Sequence, residues 1–406
     1  MSSPASQAVI ERIRRYSSHH YERVPIVVDR ARGASVWDLE GREYIDMLSC
    51  FSAVIDHNHP RITRVICEWR EQGKVDNVSN LYNTPVYADF VESLAGFCGM
   101  EKVLPKNGGV EAVESAIKIA RKWGYKVKGV PADKAEIILC ENNFHGRTIT
   151  VLSGSTVPQY KDGFGPFTPG FKTIPFGDAD ALEQAITPNT VAFLVEPIQG
   201  EGGINVPPID YLNRVSWICT QNDVLFILDE IQTGFCRTGK KFAFWSELLS
   251  AMPDLLIVGK ALGGGALPIS AVVGRGDVMD VIGPGDDGST FGGNPLACAV
   301  AVEALKIMEE EHLAERAAEL GAYFMNRLKQ MNNHFQLIED VRGRGLLIGV
   351  EFRPGIAEKF CDRMLEAGIL CHETRNNTVR FAPPLTITKD ELDMALGKIK
   401  YVLDHF

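Results

Sequence analysis

The stretch "VLFILDE" (224–230) consists of five apolar residues that lead directly into two carboxylates, Asp229 and Glu230. Runs without alternation between polar and apolar residues are typical of strands buried on both faces, as in a parallel sheet. Four further runs of this kind are "EIILC" (136–140), "VAFLVEP" (191–197), "DLLIVGK" (254–260) and "ISAVVGR" (269–275). The sequence therefore predicts that these runs are strands of one mostly parallel sheet.

Helical patterns lie between the predicted strands. From Glu111 to Tyr125 and from Tyr211 to Gln221, apolar residues recur every three or four positions, which is the spacing of one helix face. Alternation of strands and helices is typical of an open α/β sheet covered by helices on both faces. We therefore expect an α/β fold with a large domain over residues 46–295.

The alternation of strand and helix patterns ends after about Pro295. One long helix-like run covers residues 296–331, and a mixed segment continues to Phe406. The first 45 residues, with "SVWDLEGREYIDM" (35–47) at their end, predict a short β-meander. We expect residues 1–45 to join residues 296–406 in a small α+β domain.

Composition excludes several classes of protein. The 406-residue chain has a net charge of −10, which disfavours binding to nucleic acid or to an anionic membrane. No apolar run approaches the roughly 20 residues that span a bilayer, and the first residues lack the apolar core of a signal peptide. Nine scattered cysteines without a C-x-x-C pair suit a reducing compartment, so we expect a cytoplasmic protein. His57 and His59 have no further ligands at suitable spacing, so no metal site is predicted.

Candidate chemistry lies where the predicted strands end, because ligands of open α/β sheets bind at the carboxyl edge. Asp229 ends one strand and Lys260 follows another, while Gly108, Gly109 and Val110 precede a helix whose N-terminus favours phosphate. A phosphate cradle, a buried carboxylate and a lysine together fit pyridoxal phosphate. The phosphate would bind at the glycines, the protonated ring nitrogen at Asp229 and the aldehyde at Lys260.

Each of these features has an ordinary alternative when it is taken alone. A glycine pair before a helix is more often a plain loop, a lysine after a strand is usually solvated, and an Asp-Glu pair is often a cap. Nucleotide-binding motifs fit worse, because "GKALGGG" (259–265) does not match the phosphate-binding loop G-x-x-x-x-G-K-[ST]. The combination in chain order favours the pyridoxal phosphate interpretation.

Seven segments along the chain carry a further signal. They are "NGGVEAVESAIKIARKWGY" (107–125), "NFHGRT" (143–148), "LVEPIQGEGG" (194–203), "LFILDEIQTGFCRTGK" (225–240), "GKALGGGALPISAVVG" (259–274), "GSTFGGNPLACAVA" (288–301) and "VRFAPPL" (379–385). Together they resemble the class III, fold-type-I pyridoxal-phosphate aminotransferases, and among them the ornithine aminotransferases. The resemblance implies a homodimer with active sites at the subunit interface, and an amino donor and 2-oxoglutarate as substrates.

The same resemblance implies a role for individual residues. Lys260 matches the lysine that binds the cofactor covalently and moves the substrate proton, and Asp229 matches the partner of the ring nitrogen. Thr290, with Ser289, matches the segment that reaches the phosphate of the neighbouring subunit. The implied cofactor-binding residues are Gly108, Gly109, Val110, Phe144, His145, Asp229, Gln232, Lys260, Ser289 and Thr290.

For the substrates, the resemblance implies an arginine gate. Arg147 matches the residue that binds the distal carboxylate, and Arg380 matches the one that binds the α-carboxylate of glutamate or 2-oxoglutarate. Glu201 matches the carboxylate that masks Arg380 when the other substrate binds, and Tyr21 and Phe51 fall near the donor. The implied reaction moves the terminal amine of ornithine, or of a similar diamino acid, to 2-oxoglutarate and gives glutamate semialdehyde and glutamate.

Some positions depart from the ornithine aminotransferase pattern. Gly108 replaces a threonine, Phe51 replaces a tyrosine, and "VSNLYNTP" (78–85) and His145 are more similar to acetylornithine aminotransferases. Acetylornithine, 4-aminobutyrate or lysine, or a related substrate of specialised metabolism, therefore stays open as the donor. A mutase, decarboxylase or racemase could use the same Lys260 and Asp229, but Glu201 and Arg380 together favour a transaminase with two substrates.

Overall fold

The computed structural model describes residues 3–246, 252–332, 335–375 and 377–406. The strands in this part of the chain are β1 (Val28–Arg32), β2 (Ser35–Asp38), β3 (Glu43–Asp46), β4 (Lys102–Lys106), β5 (Glu136–Cys140), β6 (Phe171–Ile174), β7 (Thr190–Val195), β8 (Leu225–Asp229), β9 (Leu255–Val258), β10 (Ser270–Gly274), β11 (Ile338–Arg344), β12 (Leu347–Phe352), β13 (Ile369–Leu370), β14 (His372–Thr374) and β15 (Thr378–Phe381).

The helical segments include one single left-handed turn, α2, among otherwise right-handed helices. They are α1 (Pro4–Tyr16), α2 (Ser49–Ser52), α3 (Pro60–Glu71), α4 (Pro85–Cys98), α5 (Gly109–Trp123), α6 (Ile149–Ser153), α7 (Pro158–Lys161), α8 (Ala179–Ala185), α9 (Tyr211–Gln221), α10 (Gly276–Met279), α11 (Pro295–Glu310), α12 (Leu313–Asn332), α13 (Ala357–Glu366) and α14 (Lys389–Asp404). None of the helices in the described ranges is long and apolar enough to cross a membrane.

A seven-stranded sheet in the order β4-β10-β9-β8-β7-β5-β6 forms the centre of the molecule. The five predicted runs all form strands of this sheet, and the adjacent strands in the series β6-β5-β7-β8-β9 pair in parallel with one another. The strand β10 is antiparallel to both β9 and β4, which corrects its assignment to a parallel set. A short turn of 3-10 helix, with Gly264 and Gly265 at positive φ, links β9 to β10. This link contains no crossover helix of the kind that usually joins parallel strands, in agreement with the antiparallel pairing.

The two predicted helices between the strands are confirmed as α5 and α9. The single helical run predicted over residues 296–331 is wrong, because α11 ends at Glu310 and α12 begins at Leu313. His312 lies between them with a left-handed φ of 51°. A β-carbon disfavours this conformation within a right-handed helix, so the chain changes direction there.

The two ends of the chain meet in a small sheet. The predicted meander is present as β1, β2 and β3, and β3 pairs in parallel with β13 near the C-terminus. The expectation for the N-terminal segment omitted α1, which begins with Ser3 as its N-cap and Pro4 in its first turn. A third sheet has the order β11-β12-β15-β14 and carries Arg380 on β15. The division into domains at residues 45 and 295 stays a prediction.

Candidate active site

One pocket lies at the carboxyl edge of the central sheet, where several strands end together. Asp229 is the last residue of β8, Glu196 follows β7, and Lys260 comes two residues after β9. The N-terminus of α5 reaches the same edge after β4. The pocket is lined by Gly109, Val110, Phe144, His145, Gly146, Glu196, Ile198, Glu201, Asp229, Ile231, Gln232, Thr233 and Lys260.

The N-terminus of α5 forms an anion-binding corner of the pocket. Gly108 is the N-cap and makes no side-chain cap bond, so the N–H groups of Gly109 and Val110 are left for an anion, whereas that of Glu111 donates to the Gly108 carbonyl at 3.0 Å. The loop before it is shaped by Glu111, whose carboxylate accepts hydrogen bonds from the backbone N–H and side-chain amide of Asn107 at 2.8 and 3.0 Å. A β-carbon at Gly109 would lie 3.0 Å from Ile231 Cδ1, so glycine suits this close approach.

Asp229 and His145 form a buried pair beneath the pocket. Asp229 Oδ2 lies 2.7 Å from His145 Nδ1, and Oδ1 accepts a hydrogen bond from the backbone N–H of Ile231 at 3.1 Å. Burial alone would lower the pKa of His145, but the Asp229 carboxylate outweighs it and raises that pKa overall. The pair therefore favours an imidazolium at His145 beside the Asp229 side chain. His145 Nε2 is buried and has no hydrogen-bond partner within the described residues.

Lys260 also lines the pocket and has a left-handed φ of 45°. Burial lowers the pKa of its amine to about 8, although the negative charge of Glu201 acts in the other direction. A lysine with a lowered pKa is more often neutral near pH 7, and the neutral amine is the form that attacks an aldehyde.

Glu196 is a buried carboxylate that the sequence analysis missed. Its Oε2 accepts a hydrogen bond from the backbone N–H of Phe144 at 3.1 Å, and its Oε1 accepts one from the N–H of Gly200 at 3.2 Å. Burial raises its pKa to about 7. The signal was available, because "VAFLVEP" ends at the same sheet edge as "VLFILDE" and carries a carboxylate there.

Arg380 and Glu201 form an ion pair beside Lys260. Arg380 Nη1 lies 2.5 Å from Glu201 Oε1, and the arginine is fully buried. Burial alone would raise the pKa of Glu201, but Arg380 lowers it overall. Arg380 Nε and Nη2 have no hydrogen-bond partner among the described residues. The guanidinium carbon lies 5.0 Å from the centre of the Phe51 ring, a cation–π contact that contributes about 2 kcal/mol when desolvated.

Phe51 reaches this position through α2, the left-handed turn. Ser49, Cys50, Phe51 and Ser52 have φ values of 44°, 49°, 58° and 73°. For residues with a β-carbon the left-handed conformation costs about 1–2 kcal/mol each. The carbonyl of Phe51 accepts a hydrogen bond from Gln232 Nε2 at 3.2 Å, which joins the turn to the pocket wall.

Other predicted site residues lie outside the pocket lining. The Arg147 guanidinium stacks over Tyr160 at 4.3 Å and over Phe144 at 5.4 Å. Tyr21 is exposed and its ring contacts His20. Ser289 Oγ accepts a hydrogen bond from Asn107 Nδ2 at 2.9 Å, next to the α5 N-terminus, and Thr290 beside it is exposed.

The two histidines considered as metal ligands pair with carboxylates. His57 Nε2 lies 2.8 Å from Asp46 Oδ2, and His59 Nε2 lies 3.1 Å from Glu311 Oε1. No cluster of three or more potential metal ligands occurs within the described residues.

The residues of the pocket fit pyridoxal phosphate. The uncapped N-terminus of α5 suits the phosphate, the Asp229 carboxylate fixed by His145 suits a protonated ring nitrogen, and the Lys260 amine suits the aldehyde. Phe144 and Gln232 also line the pocket.

Comparison with known proteins identifies the family. The family model "Aminotransferase class-III" matches residues 16–403. An ornithine aminotransferase of Brevibacillus brevis is 50% identical over 399 residues, which cover 98% of this chain and 98% of that protein. The fold is similar to that of ornithine aminotransferase from Toxoplasma gondii ME49, with a TM-score of 0.96, 44% identity, and coverage of 100% of this chain and 96% of that one.

A solved acetylornithine aminotransferase from Elizabethkingia anophelis is also similar, with a TM-score of 0.89, 41% identity and coverage of 99% of each chain. The family match spans nearly the whole chain, and the pocket has the groups that its cofactor requires. The chain therefore belongs to the class III, fold-type-I aminotransferases, which depend on pyridoxal phosphate.

Proposed function

We propose that this enzyme moves the terminal amino group of ornithine to 2-oxoglutarate and gives glutamate semialdehyde and glutamate. The observation that carries the proposal is the Glu201–Arg380 ion pair beside Lys260. The similarity to proteins named ornithine aminotransferase at about half identity over nearly the full chain supports it.

The roles of the pocket residues follow from their chemistry. Pyridoxal phosphate, when bound, supplies an electron sink for the carbanion formed at the substrate carbon. Lys260 binds the cofactor, and its Nζ takes up and returns the proton of the substrate carbon. Asp229 would keep a proton on the ring nitrogen, and the N–H groups at the start of α5 would bind the phosphate. Phe144 and Gln232, which line the same pocket, would pack on the ring and donate a hydrogen bond to its hydroxyl, respectively.

The gate explains how one pocket accepts two different amines. While Glu201 pairs with Arg380, an α-carboxylate has no binding partner near Lys260, so a terminal amine enters and Arg147 binds the distant carboxylate. When Glu201 moves away, Arg380 offers its free Nε and Nη2 to the α-carboxylate of 2-oxoglutarate or glutamate. Which amine binds then depends on whether Arg380 is paired with Glu201 or released from it.

One observation favours a second candidate donor. Phe51 presents an apolar ring at the gate, where a phenol would offer a hydrogen bond to a free α-amine. An acylated α-amine, as in N-acetylornithine, carries no charge, so placing it against such an apolar surface costs less free energy of desolvation than placing a charged amine there.

A panel of single half-reactions distinguishes these donors. Purified holoenzyme is mixed with ornithine, N-acetylornithine, lysine or 4-aminobutyrate, and the loss of the cofactor absorbance is followed in time. We expect ornithine to react fastest. If N-acetylornithine or 4-aminobutyrate exceeds it tenfold, a difference of about 1.4 kcal/mol in transition-state stabilisation, ornithine is the wrong donor and the aminotransferase assignment remains.

We further propose a homodimer in the cytoplasm. Leu81, Tyr82 and Phe291 are 89%, 69% and 57% exposed, and large exposed apolar side chains are typical of interaction surfaces. They flank Ser289 and Thr290, since Asn80 Nδ2 donates to the Ser289 carbonyl at 2.7 Å. Thr290 of one subunit would then serve the phosphate of the other. Size exclusion at assay concentration is expected to give a dimer with an interface above roughly 2,000 Å², and a fully active monomer would contradict this.

A further inference from the structure

The left-handed turn α2 carries Phe51 to the gate, but the proposed reaction does not account for its strained backbone. Cys50 has φ 49° and ψ 51°, and Phe51 has φ 58° and ψ 42°, both close to the values of a left-handed helix. None of the residues Ser49–Ser52 is glycine, asparagine or aspartate, the types that adopt this conformation readily. Such a backbone persists only where surrounding groups fix it, and it clusters at functional sites.

The carboxylate of Asp46, at the end of β3, fixes the start of this turn. Its Oδ1 accepts hydrogen bonds from the backbone N–H groups of Leu48 and Ser49 at 2.9 and 2.8 Å. Its Oδ2 lies 2.8 Å from His57 Nε2, which holds the carboxylate in this orientation. Asp46 is only 5% exposed, so the two amides have little access to water as a substitute acceptor.

A second contact ties the turn to the strand that carries Arg380. Ser49 is fully buried, and its Oγ donates a hydrogen bond to the carbonyl of Ala382 at 2.6 Å. Ala382 follows β15 and in turn donates its N–H to the Met47 carbonyl at 2.7 Å. These two hydrogen bonds to Ala382 therefore set the position of the turn relative to Arg380.

The turn determines where the Phe51 ring lies. The ring packs beneath the Arg380 guanidinium at 5.0 Å, and the edge of His372 contacts it at a centroid distance of 6.3 Å. This stack exists in the state in which Arg380 pairs with Glu201. Because the stack holds the guanidinium in the orientation that faces Glu201, its loss would weaken the paired state relative to the released one.

We infer that Asp46 is a positioning residue for donor choice: by holding the left-handed turn it keeps Phe51 beneath Arg380 and favours the terminal amine over the α-amino acid. This inference rests on the proposed gate. It requires that the paired and released states of Arg380 serve different amines.

The test combines hydrogen exchange with the ratio of two half-reactions. In Asp46→Ala, we expect backbone amides of residues 48–54 to exchange at least tenfold faster and the ratio of ornithine to glutamate half-reaction rates to fall at least threefold. Asp38→Ala is the matched control. Asp38 is 7% exposed, also binds two backbone N–H groups, those of Glu40 and Arg42, and does not contact the turn. Asp38→Ala is expected to leave the ratio of ornithine to glutamate half-reaction rates within twofold of the wild-type value.

Two further variants separate positioning from loss of structure. Asp46→Asn keeps an acceptor oxygen for Leu48 and Ser49 and should retain most of the wild-type ratio. Cys50→Gly, in the Asp46→Ala background, removes the β-carbon at an exposed left-handed position and should restore slower exchange and part of the ratio.

Faster exchange without a change in ratio overturns the positioning role and leaves the gate intact. An equal fall of the ratio in Asp38→Ala also overturns it. If the wild-type enzyme lacked either half-reaction, with ornithine or with glutamate, that result would instead refute the proposed function itself.

Discussion

The two walls of the pocket are built in different ways. The proposed cofactor wall consists of Asp229, Lys260 and the N-terminus of α5, which all lie at ends of strands in one central sheet. The proposed gate consists of Phe51, Glu201 and Arg380, which come from a left-handed turn, a loop and a different sheet, and the two ion-pair partners are 179 residues apart in sequence. A rigid edge suits groups that act in every half-reaction, whereas an ion pair between separate elements can open and close.

This comparison predicts that variants of the cofactor wall reduce both half-reactions alike, whereas variants of the gate change their ratio. The largest expected effect is at Lys260. Lys260→Ala should lower turnover with every donor by at least about a thousandfold, because the proton-transferring amine is lost. The variant should still bind pyridoxal phosphate without a covalent bond.

Lys128→Ala is the control for a partly buried lysine. Lys128 donates to the carbonyls of Thr190, Asn222 and Asp223, at the opposite end of the strands, and burial lowers its pKa too. Its loss should affect thermal stability but not turnover. Normal turnover in Lys260→Ala would refute the assignment of the cofactor wall.

Asp229→Asn is expected to have the next largest effect. It keeps the size of the side chain but removes the charge that holds a proton on the ring nitrogen, so kcat should fall by about a hundredfold in both half-reactions. Asp254→Asn is the matched control, because Asp254 is a partly buried carboxylate at the other end of β9 that accepts the N–H of Phe226 at 2.7 Å. If Asp229→Asn changed the ratio of ornithine to glutamate half-reaction rates by a larger factor than it lowers both rates, the division into two walls would be contradicted.

The two walls also differ in how far the sequence predicts them. Asp229 and Lys260 follow continuous apolar runs, and the carboxyl edge of a parallel sheet brings such residues together. The direction of β10 could not be predicted, because an apolar run has the same appearance in either direction. The helix α1 was predictable in principle, since Ser3 and Pro4 form a recognisable helix start.

At the gate, the resemblance to the family indicated Glu201 and Arg380, but the sequence does not indicate how Phe51 is oriented. "LSCFSA" (48–53) contains no residue that favours a left-handed backbone, so the turn depends on the hydrogen bonds that Asp46 accepts just before it and on the tertiary contact of Ser49 with Ala382. Long-range contacts of this kind override local preference and leave no local signal.

The pH dependence of cofactor capture sharpens the assignment of Lys260. Burial lowers the pKa of its amine to about 8, and only the neutral amine forms the covalent bond. The rate of covalent capture by apoenzyme should rise about tenfold per pH unit below that value and level off above it. Non-covalent binding to Lys260→Ala serves as the control and should lack this profile. A rate that continues to rise to pH 10 would indicate an unperturbed lysine.

The smallest expected effect concerns Gly108. A β-carbon at this position meets no atom within 4 Å, so threonine fits, and its hydroxyl can donate a hydrogen bond to the phosphate. Gly108→Thr should lose pyridoxal phosphate during dialysis about threefold to tenfold more slowly than the wild type. Gly108→Ala adds the carbon without the hydroxyl and should behave like the wild type. Equal retention in the threonine variant would show that the hydroxyl does not reach the phosphate.

The difference between the two walls is tested most directly by Glu201→Ala, in which half-reaction rates with ornithine and glutamate are compared. The variant frees Arg380 permanently, so the ornithine-to-glutamate rate ratio should fall by about tenfold or more, equivalent to about 1.4 kcal/mol, while cofactor retention is unchanged. Glu141→Ala, which removes an exposed carboxylate at the same sheet edge, should leave the ratio as in the wild type. An equal loss of both rates in Glu201→Ala, with the ratio preserved, would contradict a gate formed by Glu201 and Arg380.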